Sequence, residues 1–189
     1  MIDLNEIQNN NMQDFLDATG EVFSLPFAER LKKMGFFIKP AEIKHHGNIP
    51  GGLYLHSKQV AMELANITRR MNLKWQRTQS PVIIGMLHDL CKVNDYTINA
   101  DDSEKGYEIY YTKEKEWTGH GESSLIMIQQ DAIEHADIII TREEALCIRY
   151  HMGAFTDAKE WDFYSNAVKN NMNVLWTHAA DMIAASKDI

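Results

Sequence analysis

The stretch Leu87-His88-Asp89-Leu90-Cys91-Lys92 closes an apolar segment that begins at Pro81. Imidazole and carboxylate are side chains that hold Fe, Mn, Ni or Zn in proteins. Neighbours on a helix differ in direction by about 100°, so His88 and Asp89 reach one ion only at the helix edge between them. Lys92 follows Asp89 by three residues and therefore shares its side. This predicts a metal beside a cation that suits phosphate. The alternative is a core histidine followed by a surface Asp89–Lys92 ion pair.

Further candidate ligands are spread over more than a hundred residues of the chain: His56, His120, His151 and Asp181. His56 follows a Gly-Gly turn inside an apolar helical segment, where a buried imidazole needs a partner. Asp181 lies among apolar residues, where an unpartnered carboxylate is costly. A metal shared with the His-Asp pair satisfies both side chains. A core hydrogen bond or a buried salt bridge is the alternative for each of them.

Helical signals dominate the chain. Apolar residues recur near the helical period, and proline, glycine and an N-terminal capping box mark the ends of segments. The first segment is polar, so we expect a loosely attached helix there. The predicted helices are 5–18, Pro26–Met34, 52–71, Pro81–Val93, one from about Glu122, one opened by Thr141-Arg142-Glu143-Glu144 with His151 near its end, and a last stretch, interrupted near 170–171, to about Ser186.

A different pattern occupies residues 107–117. Tyr107, Ile109 and Tyr111 alternate with Glu108 and Tyr110. A period of two with aromatic side chains is typical of a half-exposed strand. The sequence therefore predicts a short β-hairpin within an otherwise helical chain.

The bulk composition is that of one globular domain. The chain has 189 residues, of which 44% are hydrophobic and 24% charged. No apolar run approaches the roughly 18 residues of a membrane span, and the N-terminus has no secretory pattern, so we expect a cytoplasmic protein that does not enter a membrane. Cys91 and Cys147 form no paired motif and are predicted to be reduced, packed thiols.

The charge of the chain limits its partners. A formal net charge of -8 is unfavourable for long nucleic acids, which bind broad basic surfaces. A small anionic phosphate ester remains compatible, because bound divalent ions would supply the local positive charge. The sequence carries no signal of an oligomeric state.

Three short strings together resemble the HD-domain superfamily of metal-dependent phosphohydrolases. They are Gly51-Gly52-Leu53-x-x-His56, His88-Asp89-Leu90-x-Lys92 and Ala180-Asp181. That family has a His, a His-Asp pair and a late Asp in this order on helices, and the resemblance covers about residues 40–186. It implies an all-α helical bundle with a central metal.

The resemblance also implies the domain layout. Residues 1–189 would form a single HD-type hydrolase domain with a core at about 40–186. Residues 1–39 would be an N-terminal helical extension, and the hairpin near residues 107–117 would be a small insertion.

The ligand set follows from the same resemblance. His56, His88, Asp89 and Asp181 would form a first site; Asp89, His120 and His151 would form a second, with Asp89 bridging. The alternative is one ion, with the two additional histidines binding phosphate or only hydrogen-bonding. The implied cofactor is one or two divalent transition metal ions (Fe, Mn, Ni or Zn), with Mg as a further candidate.

By resemblance, the function would be hydrolysis of a nucleotide or other small phosphate ester by a metal-activated water. Asp89 and Lys92 would be catalytic, and Lys92 would also bind substrate. His46, Glu122 and His178 are further candidates for substrate contacts, against the simpler roles of a loop, a solvated helix start and core packing. The alternative functions are an HD-type di-iron oxygenase and a non-catalytic nucleotide-binding HD module.

Overall fold

The computed structural model describes residues 2–42, 47–101, 103–112 and 119–187. The chain is 66% helical, with eight α-helices and one two-stranded hairpin among the described residues, which confirms the predicted all-α class. The helices are α1 (Leu4–Thr19), α2 (Leu25–Met34), α3 (Gly52–Met71), α4 (Ser80–Leu87), α5 (His120–His135), α6 (Arg142–Arg149), α7 (Trp161–Asn170) and α8 (Asn173–Ala185).

Helix α3 lies at the centre and packs against both α4 and α8. A Cβ atom added at Gly85 of α4 would lie 2.3 Å from the Cα of Ala61, so only glycine lets the two backbones approach this closely. Helix α5 packs against α6 and against the 3₁₀ turn Leu90–Asn94 that follows α4. These contacts bring the chain segments that carry the candidate ligands to one region.

Helix α1 is firmly packed, so the expectation of a loosely attached first helix was wrong. Phe15 is fully buried, and its ring contacts those of Phe36, Phe37 and Tyr54 at centroid distances of 6.5, 5.4 and 6.3 Å. Most residues of α1 are polar, and Phe15 is its one fully buried apolar side chain. The polar composition therefore led to the wrong expectation.

The apolar segment from Pro81 does not continue as one helix to Val93. Helix α4 ends at Leu87, His88 caps it, and Asp89 has φ -109° and ψ 22° before the 3₁₀ turn begins at Leu90. This change of direction removes the regular helical offset between His88 and Asp89. The directions of the two side chains are consequently set by the backbone at the end of α4, and the two residues do not lie on one helix face.

The predicted capping box is confirmed at the start of α6. The Thr141 hydroxyl accepts a hydrogen bond from the Glu144 backbone N–H at 3.2 Å, and the Glu144 carboxylate accepts one from the Thr141 N–H at 2.8 Å. Helix α6 nevertheless ends at Arg149, so His151 lies two residues beyond the helix that was expected to carry it.

The hairpin consists of β1 (Tyr96–Ala100) and β2 (Tyr107–Tyr111), with Tyr96 opposite Tyr111. The predicted range contained the second strand only, although Tyr96, Ile98 and Ala100 of the first strand also alternate with polar residues. Residues 113–118, at the end of that range, lie outside the described residues. No described helix is both long and apolar enough to cross a membrane.

Candidate metal centre

Three helices bring His56, His88 and Asp181 together. The Nε2 atom of His56 lies 3.1 Å from Asp181 Oδ1, and the Nε2 atom of His88 lies 3.7 Å from the same oxygen. His56 comes from α3, His88 from the end of α4 and Asp181 from α8, so the packing of α3 against the other two helices creates the group. Their ligand atoms all lie within 4.8 Å of one another.

Asp89 connects this group to His151. Its Oδ2 atom lies 3.4 Å from His88 Nε2 and 3.9 Å from His56 Nε2, and its Oδ1 atom lies 3.4 Å from His151 Nε2. His88, Asp89 and His151 also form a group within 4.8 Å and are all buried. Five predicted metal ligands therefore lie in two adjoining groups that share His88: His56, His88, Asp89, His151 and Asp181.

Backbone carbonyls orient two of the imidazole rings. The Nδ1 atom of His88 is 2.9 Å from the Gly85 carbonyl oxygen, and that of His151 is 2.8 Å from the Ile148 oxygen. A carbonyl oxygen only accepts, so each Nδ1 carries the hydrogen and donates it. Nε2 is left as the ring atom that faces the site. This is how metal-binding histidines are commonly held.

Three inward-facing atoms of this group lack hydrogen bonds. His88 Nε2, Asp89 Oδ1 and His151 Nε2 are buried and have no hydrogen-bond partner among the described residues. Buried polar atoms are normally satisfied, and leaving one unsatisfied costs about 1–3 kcal/mol. Three such atoms at one point fit a divalent ion, because each offers it a lone pair.

Both carboxylates of the group are ionised at neutral pH. Burial alone would raise the pKa of Asp89, but the Lys92 ammonium and His88 lower it well below its usual value. Burial alone would also raise the pKa of Asp181, but the hydrogen bond with His56 and the nearby histidines lower this pKa to about 2. Burial lowers the pKa of His56, which favours its neutral form. Ionised carboxylate and neutral imidazole are the forms that bind metal.

The pKa of His88 is shifted in the opposite direction to that of His56. Burial alone would lower the pKa of His88, but the neighbouring Asp89 carboxylate raises it. A metal ion at Nε2 would therefore compete with a proton for this nitrogen, which makes metal affinity fall with acidification.

Lys92 is buried with Asp89 and does not form the surface ion pair that was the alternative interpretation. Its ammonium lies 2.8 Å from Asp89 Oδ2, and its side chain is 11% exposed. Burial alone would lower the pKa of Lys92, but Asp89 raises it above the usual value, so the ammonium remains charged. The 3₁₀ turn after Asp89 places this cation at the edge of the ligand group.

A second group contains a residue that sequence reasoning missed. Asp89, Cys91 and His120 have ligand atoms within 4.8 Å of one another. The thiol Sγ of Cys91 lies 3.5 Å from His120 Nδ1, and Asp95 Oδ2 lies 3.8 Å from the same nitrogen. Cys91 was predicted only as a packed thiol. Its position two residues after Asp89 was the one feature of the sequence that could have indicated a metal ligand. His120 thus reaches Asp89, but in a group with Cys91.

The predicted substrate contacts have diverse surroundings. Glu122 is exposed and pairs with Arg149 at 3.2 Å. His178 is half-buried, and its Nδ1 atom is 2.8 Å from the backbone oxygen of His151, so it supports the segment that carries this ligand. His46 lies outside the described residues.

Comparisons of the chain with protein-family models, with curated proteins and with solved structures return no match. The buried His, Asp and Cys groups of the chain could hold a metal ion.

Proposed function

We propose that the protein is a metal-dependent phosphohydrolase that acts on a nucleotide or other small phosphate ester through a metal-activated water. One observation carries the proposal. The inward atoms His88 Nε2, Asp89 Oδ1 and His151 Nε2 are buried without hydrogen bonds, directly beside the charged ammonium of Lys92. Lone pairs that converge next to a fixed cation suit a metal and an anionic ligand bound together.

The ligand types indicate which ions would be held. His56, His88 and His151 supply nitrogen, and Asp89 and Asp181 supply oxygen. Mixed imidazole and carboxylate donors suit Fe, Mn, Ni or Zn, while Mg prefers oxygen ligands and several waters. When bound, such an ion lowers the pKa of its water and polarises phosphate oxygens.

The protein contributes ligands that are oriented in advance. The carbonyl oxygens of Gly85 and Ile148 fix the rings of His88 and His151, and His178 holds the backbone of His151 in turn. Ligands that are already aligned need no reorganisation when an anion arrives, which is the main source of electrostatic catalysis.

Lys92 would bind a phosphate oxygen of the substrate. Its charge is maintained by Asp89, and its position on the turn after Asp89 keeps it next to the ligand group. In a chain with a net charge of -8, an anionic substrate needs such a local cation to offset the surrounding carboxylates.

Phosphate release from a phosphomonoester, a phosphodiester and a panel of nucleotides under Mn, Ni, Mg and Fe tests the proposal. We expect release with at least one transition metal and none after Asp89→Asn. Asp14→Asn is the matched control, because Asp14 forms the same kind of pair with Lys58 at 2.6 Å on the surface. Oxygen consumption without phosphate release would identify the oxygenase, and nucleotide binding by calorimetry without any product would identify the binding module.

A further inference from the structure

The 3₁₀ turn after Asp89 aims a cysteine at the metal-ligand region. Cys91 is 5% exposed, and its backbone N–H donates to the Ser124 hydroxyl at 3.1 Å. Ser124 and His120 both belong to α5, so this hydrogen bond ties the turn to the helix that carries the imidazole. The Cys91 thiol and the His120 ring are therefore held together by the fold.

The spacing of these two side chains suits one ion. A tetrahedral Zn with a sulfur ligand at about 2.3 Å and a nitrogen ligand at about 2.0–2.1 Å has a sulfur–nitrogen separation of roughly 3.5 Å. Cys91 Sγ and His120 Nδ1 are 3.5 Å apart. An Asp89 oxygen completes a three-ligand face in which all atoms lie within 4.8 Å of one another.

We infer that Asp89, Cys91 and His120 form a second transition-metal site with a thiolate ligand. The inference rests on the metal-binding part of the proposed function, because Asp89 is shared with the first group. On binding, the Cys91 S–H bond breaks, the proton leaves to solvent and the sulfur lone pair is donated to the ion. Asp95, whose Oδ2 atom is 3.8 Å from His120 Nδ1, places a further oxygen beside this face.

This assignment differs from the ligand set that the resemblance implies, both in which residues bind the second ion and in which ions that site prefers. The resemblance pairs His120 with His151 in the second site, whereas the geometry groups His151 with His88 and Asp89. A site that includes sulfur selects a borderline or soft ion such as Zn over Mg or Ca. The second ion is thus expected to be a transition metal even where Mg is abundant.

A hydrogen bond between the thiol and the imidazole would explain the same 3.5 Å distance without metal. Cobalt distinguishes the two, because a thiolate bound to Co²⁺ gives an intense near-ultraviolet charge-transfer band that oxygen and nitrogen ligands do not give. The test is a Co²⁺ titration of the chelator-treated protein with absorption and equilibrium dialysis. We expect two equivalents and the charge-transfer band.

Two cysteine variants make the test specific. Cys91→Ser should lose the band and one equivalent. Cys147→Ser is the matched control, because Cys147 is the other buried cysteine of the chain. This variant should retain the charge-transfer band and both equivalents of cobalt. His120→Ala should also lose the second equivalent, and since the His120 side chain is 33% exposed, this variant should fold even where Cys91→Ser does not.

The outcomes separate this inference from the proposed function. Visible cobalt bands without the charge-transfer band would overturn the thiolate site and leave the first group and the phosphohydrolase proposal in place. A band retained in Cys91→Ser, or two equivalents retained in His120→Ala, would also overturn the site. Absence of any cobalt binding would overturn both proposals.

Discussion

Lys92 Nζ lies 2.8 Å from Asp89 Oδ2, and both side chains are buried. Asp89 also faces two imidazole nitrogens at 3.4 Å, one from His88 and one from His151. A single carboxylate therefore stands between a fixed cation and the imidazole ligands. This arrangement couples three properties that can be measured separately: metal affinity, stability and the binding of an anion.

The first prediction concerns Lys92→Met, which preserves much of the side-chain volume and removes the charge. We expect turnover of a phosphate ester to fall by about one to three orders of magnitude, since one preorganised charge contact is lost. Metal-loaded protein should fold normally, because the ion neutralises Asp89. Metal-free protein should be destabilised by up to about 3–5 kcal/mol, because Asp89 is then a buried charge without its cation.

Lys58→Met is the control for this variant. Lys58 pairs with Asp14 on the surface, with its Nζ 2.6 Å from Asp14 Oδ2, and should change stability by less than about 1 kcal/mol with unchanged turnover. Normal turnover in correctly metallated Lys92→Met protein would remove Lys92 from the active site.

The second prediction concerns removal of the metal. His56, His88 and Asp181 come from three different helices, so an ion shared by them ties α3, α4 and α8 together. Free metal at about 100 times its Kd should stabilise the native state by about 2.7 kcal/mol. The measurement is thermal unfolding before and after chelation. An unchanged Tm, with metal loss verified by elemental analysis, would show that binding and folding are not coupled.

The third prediction uses Gly85→Ala to disturb the site from a distance. The added methyl group would meet the Ala61 backbone at 2.3 Å and must push α4 away from α3. Overpacking of this kind costs typically about 1–3 kcal/mol. Because His88 caps α4 and His56 lies on α3, we also expect weaker metal binding by calorimetry. Wild-type metal affinity in the folded variant would mean that the approach of α4 to α3 does not position the ligands.

The fourth prediction concerns pH and a polar network remote from the metal ligands. Burial alone would raise the pKa of Glu144, but Arg77, the Thr141 N–H and Ser80 donate hydrogen bonds that lower it below 4.5. A lowered native pKa means that the ionised form stabilises the fold above about pH 4.5, and that this contribution is lost as pH falls through the native pKa.

Urea unfolding across the acidic range measures this effect. The free energy of unfolding of the wild type should fall as pH decreases below 4.5. Glu144→Gln should be less stable at neutral pH, because it loses the charged pair with Arg77, and its stability should change less with acidification. Parallel pH profiles of the two proteins would contradict the role of Glu144.

Much of the fold was predictable because local signals agreed with tertiary packing. Gly51 and Gly52 marked the start of α3, Gly35 marked the end of α2, and the Thr141–Glu144 capping box marked α6. Less local features were missed. The attachment of α1 depends on Phe15 packing against residues 21 and 22 positions later. Strand β1 was missed although Tyr96, Ile98 and Ala100 alternate with polar residues, because it directly follows the apolar segment that ends in the 3₁₀ turn.

The candidate site was predictable in membership but not in arrangement. The ligand residues could be proposed from the residue types and their order along the chain. The break in the helix at His88 and Asp89 could not be predicted from them. The 3₁₀ turn that follows this break brings Cys91 into a ligand group with Asp89. Whether His151 belongs with His88 or with His120 depends on how residues beyond α6 turn, which no spacing rule specifies.

The metal content of the purified protein shows whether the buried His and Asp side chains form a metal site. Elemental analysis, followed by calorimetric titration with Mn, Ni, Zn and Fe, should find at least one transition metal ion bound per chain. The variant Asp89→Ala should bind metal more weakly, because its carboxylate belongs to two of the three ligand groups among the described residues. A folded wild-type protein that contains no metal and binds none of these ions would show that these side chains do not form a metal site.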